Sequence, residues 1–317
     1  MSNAIKKCLL AATACAAGIS VYKVYDIIFR SPDKNQNDDF FLPDDEQMRA
    51  YDAEIRAMIS RMREKPYERV TIRSYDGYNL VGRLYFHSAS APLVIGFHGY
   101  RGTPARDLSG GAYYYVSHGY NLLLPEQRAH CESEGGMITY GVKERFDCLS
   151  WTKYAVERFG SETPIILTGI SMGAATVLMA SELDLPDSVL GIIADCPYTS
   201  PGDIIKKVAG DHKYPVKAVY ALASAVARVK GGFGLYDADA SKAVKKAKVP
   251  ILLIHGGDDR FVPHRMSEEI ANAAPDKIEF HTFEGAGHGL SYLSDKDGYE
   301  AIISRFLARV LTGAPPA

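Results

Sequence analysis

The stretch Ile165–Ala175 reads I-I-L-T-G-I-S-M-G-A-A, an apolar β-favouring run that ends in a turn and a small-residue helix start. Ser171 lies at the turn between Gly169 and Gly173, which makes the pattern G-x-S-x-G. A serine in this pattern projects from a sharp strand-to-helix turn, where a side chain at either glycine would collide with neighbouring backbone. The N–H groups that open the helix can bind a developing negative charge. We therefore predict that Ser171 is a nucleophile.

A serine nucleophile needs a histidine base, and the chain supplies one after a later strand pattern. Ile278–Phe283 alternates as a strand and leads to E-G-A-G-H-G-L, which places His288 in a glycine-rich loop. In this arrangement Ser171 attacks a carbonyl carbon, and the imidazole takes and returns the proton. We predict that His288 is the base.

The base in turn needs a carboxylate that holds its tautomer. Val249–Ile254 is a short apolar strand pattern that runs into H-G-G-D-D-R-F-V-P, and this loop contains Asp258 and Asp259. Because the two residues are adjacent, their side chains leave the loop in different directions, and only one can face His288. Asp195, which ends the strand-like run G-I-I-A-D, is a third candidate.

An earlier strand pattern, Pro92–Phe97, is followed by H-G-Y-R-G-T at His98–Thr103. Together these motifs resemble the α/β-hydrolase superfamily, and within it the bacterial branch described as serine aminopeptidase-like or Bem46-like. The resemblance covers roughly Val70–Leu311 and includes T-I-R-S-Y-D-G-Y-N-L-V-G-R-L-Y with its D-G turn. It also includes the loop P-E-Q-R-A-H-C-E-S-E-G at Pro125–Gly135. This loop departs from the pattern of the family, which has Asp where Glu126 stands and glycines at the positions of Ala129 and Cys131.

The resemblance implies a mostly parallel central sheet flanked by helices, with a small helical lid inserted at 198–248. The pattern H-G-x-x-D-x-x-V-P selects Asp259 as the acid, whereas some lipases carry it one strand earlier, at the position of Asp195. The H-G-x-x-G loop implies an oxyanion hole made by the backbone N–H groups of Tyr100 and Met172. The motifs are specific for the fold and the catalytic machinery, and they do not specify a substrate.

Composition agrees with one large domain and excludes several functional classes. The 317 residues fit an α/β domain of about 240 residues with an N-terminal extension, and 47% of the chain is apolar. A net charge of −2, with no basic run interleaved with aromatics, gives no nucleic-acid signature. The 5 cysteines form no C-x-x-C pair, and the 9 histidines show no metal spacing. We therefore expect no cofactor and no metal, and we interpret His255, His264 and His281 as turn or surface residues.

The N-terminus carries a separate signal. Basic residues precede a mostly apolar run from Cys8 to Tyr22, which is about fifteen residues and short of the ~20 that span a bilayer. For residues 1–30 we predict an uncleaved membrane anchor, with a removed signal peptide or a soluble helical arm as alternatives. The protein would then be membrane-anchored or secreted, or cytoplasmic if the arm is soluble. Residues 31–66 read as a linker and an amphipathic helix through Arg63, whose apolar stripe packs on the domain or borders the substrate pocket. The hydrolase domain follows at 67–317.

Three functions fit these residues. The first is a hydrolase of small-molecule carboxylic esters that works through an acyl-enzyme on Ser171. The second uses the same residues for acyl transfer or for amide and peptide cleavage, with Arg101 beside the oxyanion loop as a partner for a substrate carboxylate. The third is a membrane-tethered binding module without catalysis, and the complete set of nucleophile, base, acid and oxyanion loop argues against it.

Overall fold

The computed structural model describes residues 21–32 and 38–313. Within them, eight strands form one sheet. They are β1 (Glu68–Arg73), β2 (Asn79–Tyr85), β3 (Leu93–Phe97), β4 (Asn121–Pro125), β5 (Ile165–Ile170), β6 (Val189–Asp195), β7 (Ile251–Gly256) and β8 (Ile278–Phe283). Their order is β1-β2-β4-β3-β5-β6-β7-β8. The pairs β1·β2 and β2·β4 are antiparallel and every later pair is parallel, so the mostly parallel sheet is confirmed.

Helices cover both faces of this sheet. They are α1 (Glu46–Arg49), α2 (Asp52–Arg63), α3 (Pro104–Ser117), α4 (Glu144–Phe159), α5 (Met172–Ala180), α6 (Pro201–Asp211), α7 (Val216–Val226), α8 (Ala240–Ala243), α9 (Arg265–Ala273), α10 (Ser291–Ser294) and α11 (Lys296–Thr312). Single π-helical turns lie at Tyr25–Phe29 and Ala227–Gly231, and a 3-10 turn lies at Val244–Lys246.

The central strands are continuous apolar runs because both of their faces are covered. All residues of β3, β4 and β7 are buried. One face packs against α4, α5 and α9, where Trp151 is among the largest buried side chains. The other face packs against α2, α3 and α11. The ends of β5, β7 and β8 therefore lie along one edge of the sheet, as the prediction of a shared site requires.

The segment predicted as an anchor ends inside the domain. Phe29 is fully buried, with its ring edge-on to Tyr140 at 6.0 Å and to Phe233 at 6.2 Å between centroids. The Ile138 N–H donates to the Phe29 carbonyl at 2.8 Å. Within the described residues, no helix is long and apolar enough to cross a membrane. Most of the predicted apolar run lies in residues 1–20, outside the described residues.

Of the linker and helix predicted for 31–66, the structure describes residues 31–32 and 38–66. The helix is broken at Ala50–Tyr51 into α1 and α2, and α2 buries Ile55, Ile59 and Met62. Asp39 in the linker is buried, and its carboxylate accepts a hydrogen bond from Thr103 Oγ1 at 2.6 Å. This segment is therefore part of the wall of the domain.

The insertion at 198–248 is helical, as predicted, but it packs against the N-terminal turn and does not line the cavity as a lid would. Its helix α7 packs beside the π-helical turn Tyr25–Phe29, and Phe233 joins the core through Phe29. None of its residues lines the cavity at Ser171, as far as the described chain shows. The apolar face of α7 is used for packing, since Ala223 and Val226 are buried.

Candidate active site

Ser171 occupies a strained turn between β5 and α5. Its φ is 54° and its ψ is −115°, a region in which a side chain is costly, and the residue is 8% exposed. The flanking glycines are sterically required. A Cβ at Gly169 would lie 2.4 Å from the Gly173 carbonyl, and a Cβ at Gly173 would lie 2.0 Å from the Phe97 carbonyl oxygen. The turn thus holds the serine at the mouth of a cavity with almost no freedom to move.

His288 joins Ser171 to Asp259 through its two ring nitrogens. The Ser171 Oγ lies 2.9 Å from His288 Nε2, and His288 Nδ1 lies 2.7 Å from Asp259 Oδ2. A carboxylate beside Nδ1 fixes the tautomer that carries its proton there, which leaves Nε2 free to accept the serine proton. The structure therefore brings these three residues, predicted from separate parts of the chain, into one hydrogen-bonded series.

Asp259 is held by its surroundings from four directions. Its Oδ1 accepts from the Phe261 and Val262 N–H groups, both at 2.8 Å, and its side chain is fully buried. Burial by itself raises the pKa of this carboxyl, but the adjacent His288 and hydrogen bonds from His255 and His288 hold it well below its usual range. Asp259 is thus an anion at neutral pH and can stabilise a protonated imidazole.

The other two candidate acids have different partners. Asp258 is exposed, and its backbone carbonyl accepts from Gln47 Nε2 at 3.2 Å. The Asp195 carboxylate accepts from Tyr299 Oη at 3.1 Å and Ser291 Oγ at 3.3 Å. Burial raises the pKa of Asp195 to about 6. Neither carboxylate has a hydrogen bond to His288 in the described structure, so Asp259 alone has the geometry of the predicted acid.

His255 contradicts its interpretation as a turn or surface residue, because it is fully buried at the end of β7. Its Nδ1 lies 2.7 Å from Ser267 Oγ, and its Nε2 lies 2.9 Å from the Val262 carbonyl and 3.2 Å from Asp259 Oδ2. The Nε2–H therefore has two acceptors within reach, the Val262 carbonyl and the Asp259 carboxylate. The predicted strand ended at Ile254, whereas the observed strand β7 continues through His255 and Gly256.

The predicted oxyanion donors lie on two elements that meet at Ser171. The Met172 N–H opens α5 and is one of the helix's unpaired donors. Tyr100 lies in the loop after β3 and lines the cavity. Its neighbours' N–H groups are used elsewhere, Gly99 donating to Asp107 Oδ2 at 2.8 Å and Arg101 to His130 Nε2 at 3.0 Å. These bonds fix the loop on both sides of the Tyr100 N–H.

Two buried histidines support this loop, and sequence reasoning assigned no role to either. His98 Nε2 accepts from the Gln127 N–H at 3.0 Å, and His98 and His130 pack edge-on at 4.8 Å between centroids. Burial lowers the pKa of each to about 3, so both imidazoles are neutral. A neutral ring can accept from a backbone N–H, which is what the loop requires. His130 comes from the P-E-Q-R-A-H loop, so that motif supports the oxyanion side of the site.

A cavity of about 540 Å³ opens at Ser171 and His288. This volume is within the ~300–1,000 Å³ usual for small-molecule sites. The walls are mostly apolar and come from the 41–58 segment, α3, β4, β5 and α11. The residues that line the cavity thus agree with the alternative prediction, in which the N-terminal helix borders the substrate pocket. Arg101 also borders it, but its guanidinium donates to the Asp26 carbonyl at 3.0 Å and the Arg30 carbonyl at 3.3 Å.

One group of potential metal ligands occurs among the residues that the structure describes. A ligand atom from each of Cys196, Asp259 and His288 lies within 4.8 Å of the others. Burial raises the pKa of the Cys196 thiol well above its usual value, so this sulfur is protonated. Asp259 and His288 are already hydrogen-bonded to each other. The chemistry of this set fits proton transfer better than metal binding.

Two family models match adjacent parts of the chain. The model described as the alpha/beta hydrolase fold matches residues 92–231, and the model described as serine aminopeptidase, S33, matches residues 232–296. The first match contains Ser171 and the oxyanion loop, and the second contains Asp259 and His288. The segment that forms the cavity wall at 41–58 precedes both.

Individual relatives are distant in sequence. Protein YqkD of Bacillus subtilis is 23% identical over 194 residues, which cover 61% of this chain and 64% of that protein. The lysophosphatidylserine lipase ABHD12 of Danio rerio is 25% identical over 240 residues, which cover 69% of this chain and 59% of that protein. The chain thus spans less than two thirds of the length of either relative.

Solved structures share the architecture. The esterase Pf2001 of Pyrococcus furiosus superposes with a TM-score of 0.66 at 21% identity, over 79% of this chain and 93% of that one. Est1E of Butyrivibrio proteoclasticus, solved with ferulic acid bound, gives a TM-score of 0.58 at 18% identity, over 77% of this chain and 99% of that one. At these identities the structural likeness shows the fold, and with the two family models it leads to one conclusion. The chain belongs to the α/β-hydrolase superfamily.

Proposed function

We propose that the protein is a serine hydrolase that cleaves carboxylic esters through an acyl-enzyme on Ser171. The observation that carries this proposal is the unbroken series from Ser171 Oγ to His288 Nε2 and from His288 Nδ1 to Asp259 Oδ2, with contacts of 2.9 and 2.7 Å. These distances are within hydrogen-bond reach, which is the first requirement for a nucleophile and its base.

Acylation follows from this geometry. As the Ser171 Oγ attacks the ester carbonyl carbon, its proton passes to His288 Nε2, and the buried anion of Asp259 stabilises the imidazolium. The carbonyl oxygen becomes an oxyanion, and the N–H groups of Tyr100 and Met172 are the donors proposed to bind it. Each such donor typically contributes about 2.7–4 kcal/mol to the transition state. Collapse of the intermediate expels the alcohol, which takes the proton from the imidazolium.

Deacylation repeats the steps with water. His288 removes a proton from a water molecule, which attacks the acyl carbon, and the serine oxygen leaves with that proton. The products are the carboxylic acid and the free enzyme. The names of several relatives agree with chemistry of this kind, since they include a lipase, an esterase and the thiohydrolase aneE of Aspergillus aculeatus.

Amide or peptide cleavage is a second candidate. It is favoured by the match of residues 232–296 to the serine aminopeptidase model, because that range contains both His288 and Asp259. The same acyl-enzyme would serve an amide, but the leaving amine must be protonated by His288 as it departs. Acyl transfer to an acceptor other than water would differ only in the second half-reaction.

The test is fluorophosphonate labelling of the full-length protein, with Ser171→Ala and His288→Ala beside it. We expect labelling of the wild type, none of Ser171→Ala, and almost none of His288→Ala, because such residues act as a unit. Hydrolysis of p-nitrophenyl butyrate against an aminoacyl p-nitroanilide then separates ester from amide cleavage. A folded wild type that is neither labelled nor active on either substrate contradicts the proposal and favours a binding module.

Membrane association through the N-terminal segment stays a prediction. Residues 1–20 carry most of the apolar run, and the chain from Tyr25 to Phe29 packs on the domain. Fractionation of cells that express the full chain and a form lacking residues 1–20 tests it. Equal distribution of both forms in the soluble fraction would contradict an anchor.

A further inference from the structure

The cavity at Ser171 extends a long way from the nucleophile. Its lining includes Leu122 of β4. In the register of the sheet, Leu122 pairs with Val94 and Val94 pairs with Ile166, which is five positions before Ser171. Strands rise about 3.3 Å per residue, so the cavity runs about 16 Å along the strand direction. It is therefore a channel that continues from the reaction site down one face of the sheet.

The channel is apolar along this length. Its sheet side carries Leu122 and Leu124, which share one face of β4 because alternate residues of a strand point the same way. The helices opposite contribute small or apolar groups. They are Leu108, Gly111 and Ala112 of α3 and Ile303 of α11.

Two tyrosine hydroxyls that border the channel are already hydrogen-bonded within the protein. The Tyr292 hydroxyl donates to Glu300 Oε1 at 3.0 Å, and the Tyr299 hydroxyl donates to Asp195 Oδ2 at 3.1 Å. A ligand group in the channel therefore has few polar atoms to satisfy, and it gains mainly by leaving water.

The roof of the channel is the N-terminal segment. The Phe41 carbonyl accepts from Arg106 Nη1 at 3.0 Å on the oxyanion side, and Gln47 Nε2 donates to the Asp258 carbonyl at 3.2 Å on the acid side. The segment thus connects the start of α3 with the loop that contains Asp258. Most of its residues that line the cavity are apolar, namely Phe41, Leu42, Pro43, Met48, Ile55 and Met58, and two are acidic, Asp44 and Asp45.

We propose that this channel binds the acyl chain of the ester, a linear chain of about thirteen to fourteen carbons, with the 41–58 segment as its roof. The inference rests on the proposed function. The length follows from the channel, since carbon–carbon bonds of about 1.5 Å advance about 1.25 Å each along an extended chain. The carbonyl carbon is placed at Ser171 and the chain end near Leu122.

The first measurement is kcat/KM for p-nitrophenyl esters from two to sixteen carbons, below their aggregation concentrations. We expect kcat/KM to rise by up to about fourfold for each added methylene as each leaves water. The rise should end at about thirteen to fourteen carbons, where the channel ends, and longer chains should gain nothing.

Substitutions at Leu122 test the position of the channel. Leu122→Ala lengthens it and should move the optimum up by about two carbons, whereas Leu122→Phe shortens it and should move the optimum down. The matched controls are Leu123→Ala and Leu123→Phe. Leu123 is also fully buried in β4, but it packs on the opposite face of the sheet. Its variants disturb the core similarly and should leave the optimum unchanged.

The roof has its own pair of variants. Met58 borders the channel, and the adjacent Ala57 is exposed. The ratio of kcat/KM for the ten-carbon ester to kcat/KM for the butyryl ester should fall at least tenfold in Met58→Trp. The same ratio should change less than twofold in Ala57→Trp. An unchanged ratio in Met58→Trp overturns the assignment of the roof.

Hydrolysis of the butyryl ester distinguishes a failure of the acyl-channel proposal from a failure of the serine hydrolase proposal. Rapid butyryl hydrolysis with no gain for longer chains overturns the acyl channel and leaves the serine hydrolase intact. An optimum that shifts equally in the Leu122 and Leu123 variants also overturns it. A folded wild type with no hydrolysis of any ester and no fluorophosphonate labelling overturns both proposals.

Discussion

Replacement of Asp259 by asparagine isolates the charge of the proposed acid from its shape. The Oδ1 position accepts from the Phe261 and Val262 N–H groups at 2.8 Å, and both bonds survive only if the amide oxygen occupies that position. The reverse orientation would oppose two buried N–H groups with an NH₂ group. The first orientation turns the NH₂ group towards the His255 Nε2–H, 3.2 Å from Oδ2, so it loses one partner where the reverse loses two. At about 1–3 kcal/mol for each lost partner, the first orientation is favoured by about 1–3 kcal/mol.

In this orientation the amide NH₂ replaces Oδ2, which lies 2.7 Å from His288 Nδ1. A donor at this place forces Nδ1 to accept, so the ring proton moves to Nε2. That nitrogen then donates to Ser171 and can no longer remove its proton. In a serine protease the same substitution lowers kcat about 10⁴-fold, and we expect a similar loss here, which is about 5.4 kcal/mol of transition-state stabilisation.

The assay is kcat for p-nitrophenyl butyrate at pH 8, with circular dichroism to show that each variant is folded. Asp258→Asn is the matched control, because the neighbouring side chain is exposed, and it should stay within about twofold of wild type. A folded Asp259→Asn protein that keeps more than a tenth of wild-type kcat would refute the reasoning. So would an equal loss in Asp258→Asn.

Three further predictions concern single positions. Ser171→Gly should be more stable than Ser171→Ala by about 1 kcal/mol, or about 2 °C in Tm, because glycine relieves the strained φ of 54° while its own backbone entropy offsets part of the gain; equal Tm values by calorimetry would contradict this. Burial raises the folded-state pKa of Asp195 to about 6, above its ordinary 3.8. The protonated carboxyl therefore contributes fully to the free energy of unfolding below about pH 4, and about 3 kcal/mol of that contribution is lost as the pH rises through 6. Urea unfolding at pH 4 and 7 measures this loss. The free energy of unfolding of Asp195→Asn, relative to that of wild type, should be higher at pH 7 than at pH 4. An equal difference at the two pH values would exclude the titration of Asp195. His255→Phe should lower kcat by up to about a hundredfold with little change in KM, since it removes a donor 3.2 Å from Asp259 Oδ2 and frees that carboxylate to shift; an unaltered kcat in a folded variant would assign His255 to packing alone.

Local patterns were enough to predict the main architecture. The buried strands β3, β4 and β7 are continuous apolar runs, and the turn at Ser171 needs two glycines within reach of neighbouring backbone. Gly173 is required by the Phe97 carbonyl of β3, whereas the strands and the need for Gly169 depend on residues close together in the chain. The same is true of His288, which lies in the loop after β8.

Choices between neighbouring residues needed the packed chain. Asp258 and Asp259 have the same chemistry and adjacent positions, and only the loop conformation turns Asp259 towards His288. The burial of His255 depends on α9, since Ser267 of that helix closes over Nδ1 at 2.7 Å. No periodicity in the sequence marks either contact.

The walls of the cavity were the least predictable part. The insertion at 198–248 and the segment at 41–58 both carry apolar stripes, and a stripe shows that a surface is buried without showing against what. In the folded protein the insertion packs beside Phe29, and the N-terminal segment is fixed over Ser171 by Thr103, Arg106 and Asp258. The sequence by itself determined the strands, the turn and the reactive groups, because these depend on local steric and apolar patterns. Only the tertiary structure decided which segment covers the site, because that depends on contacts between residues far apart in the chain.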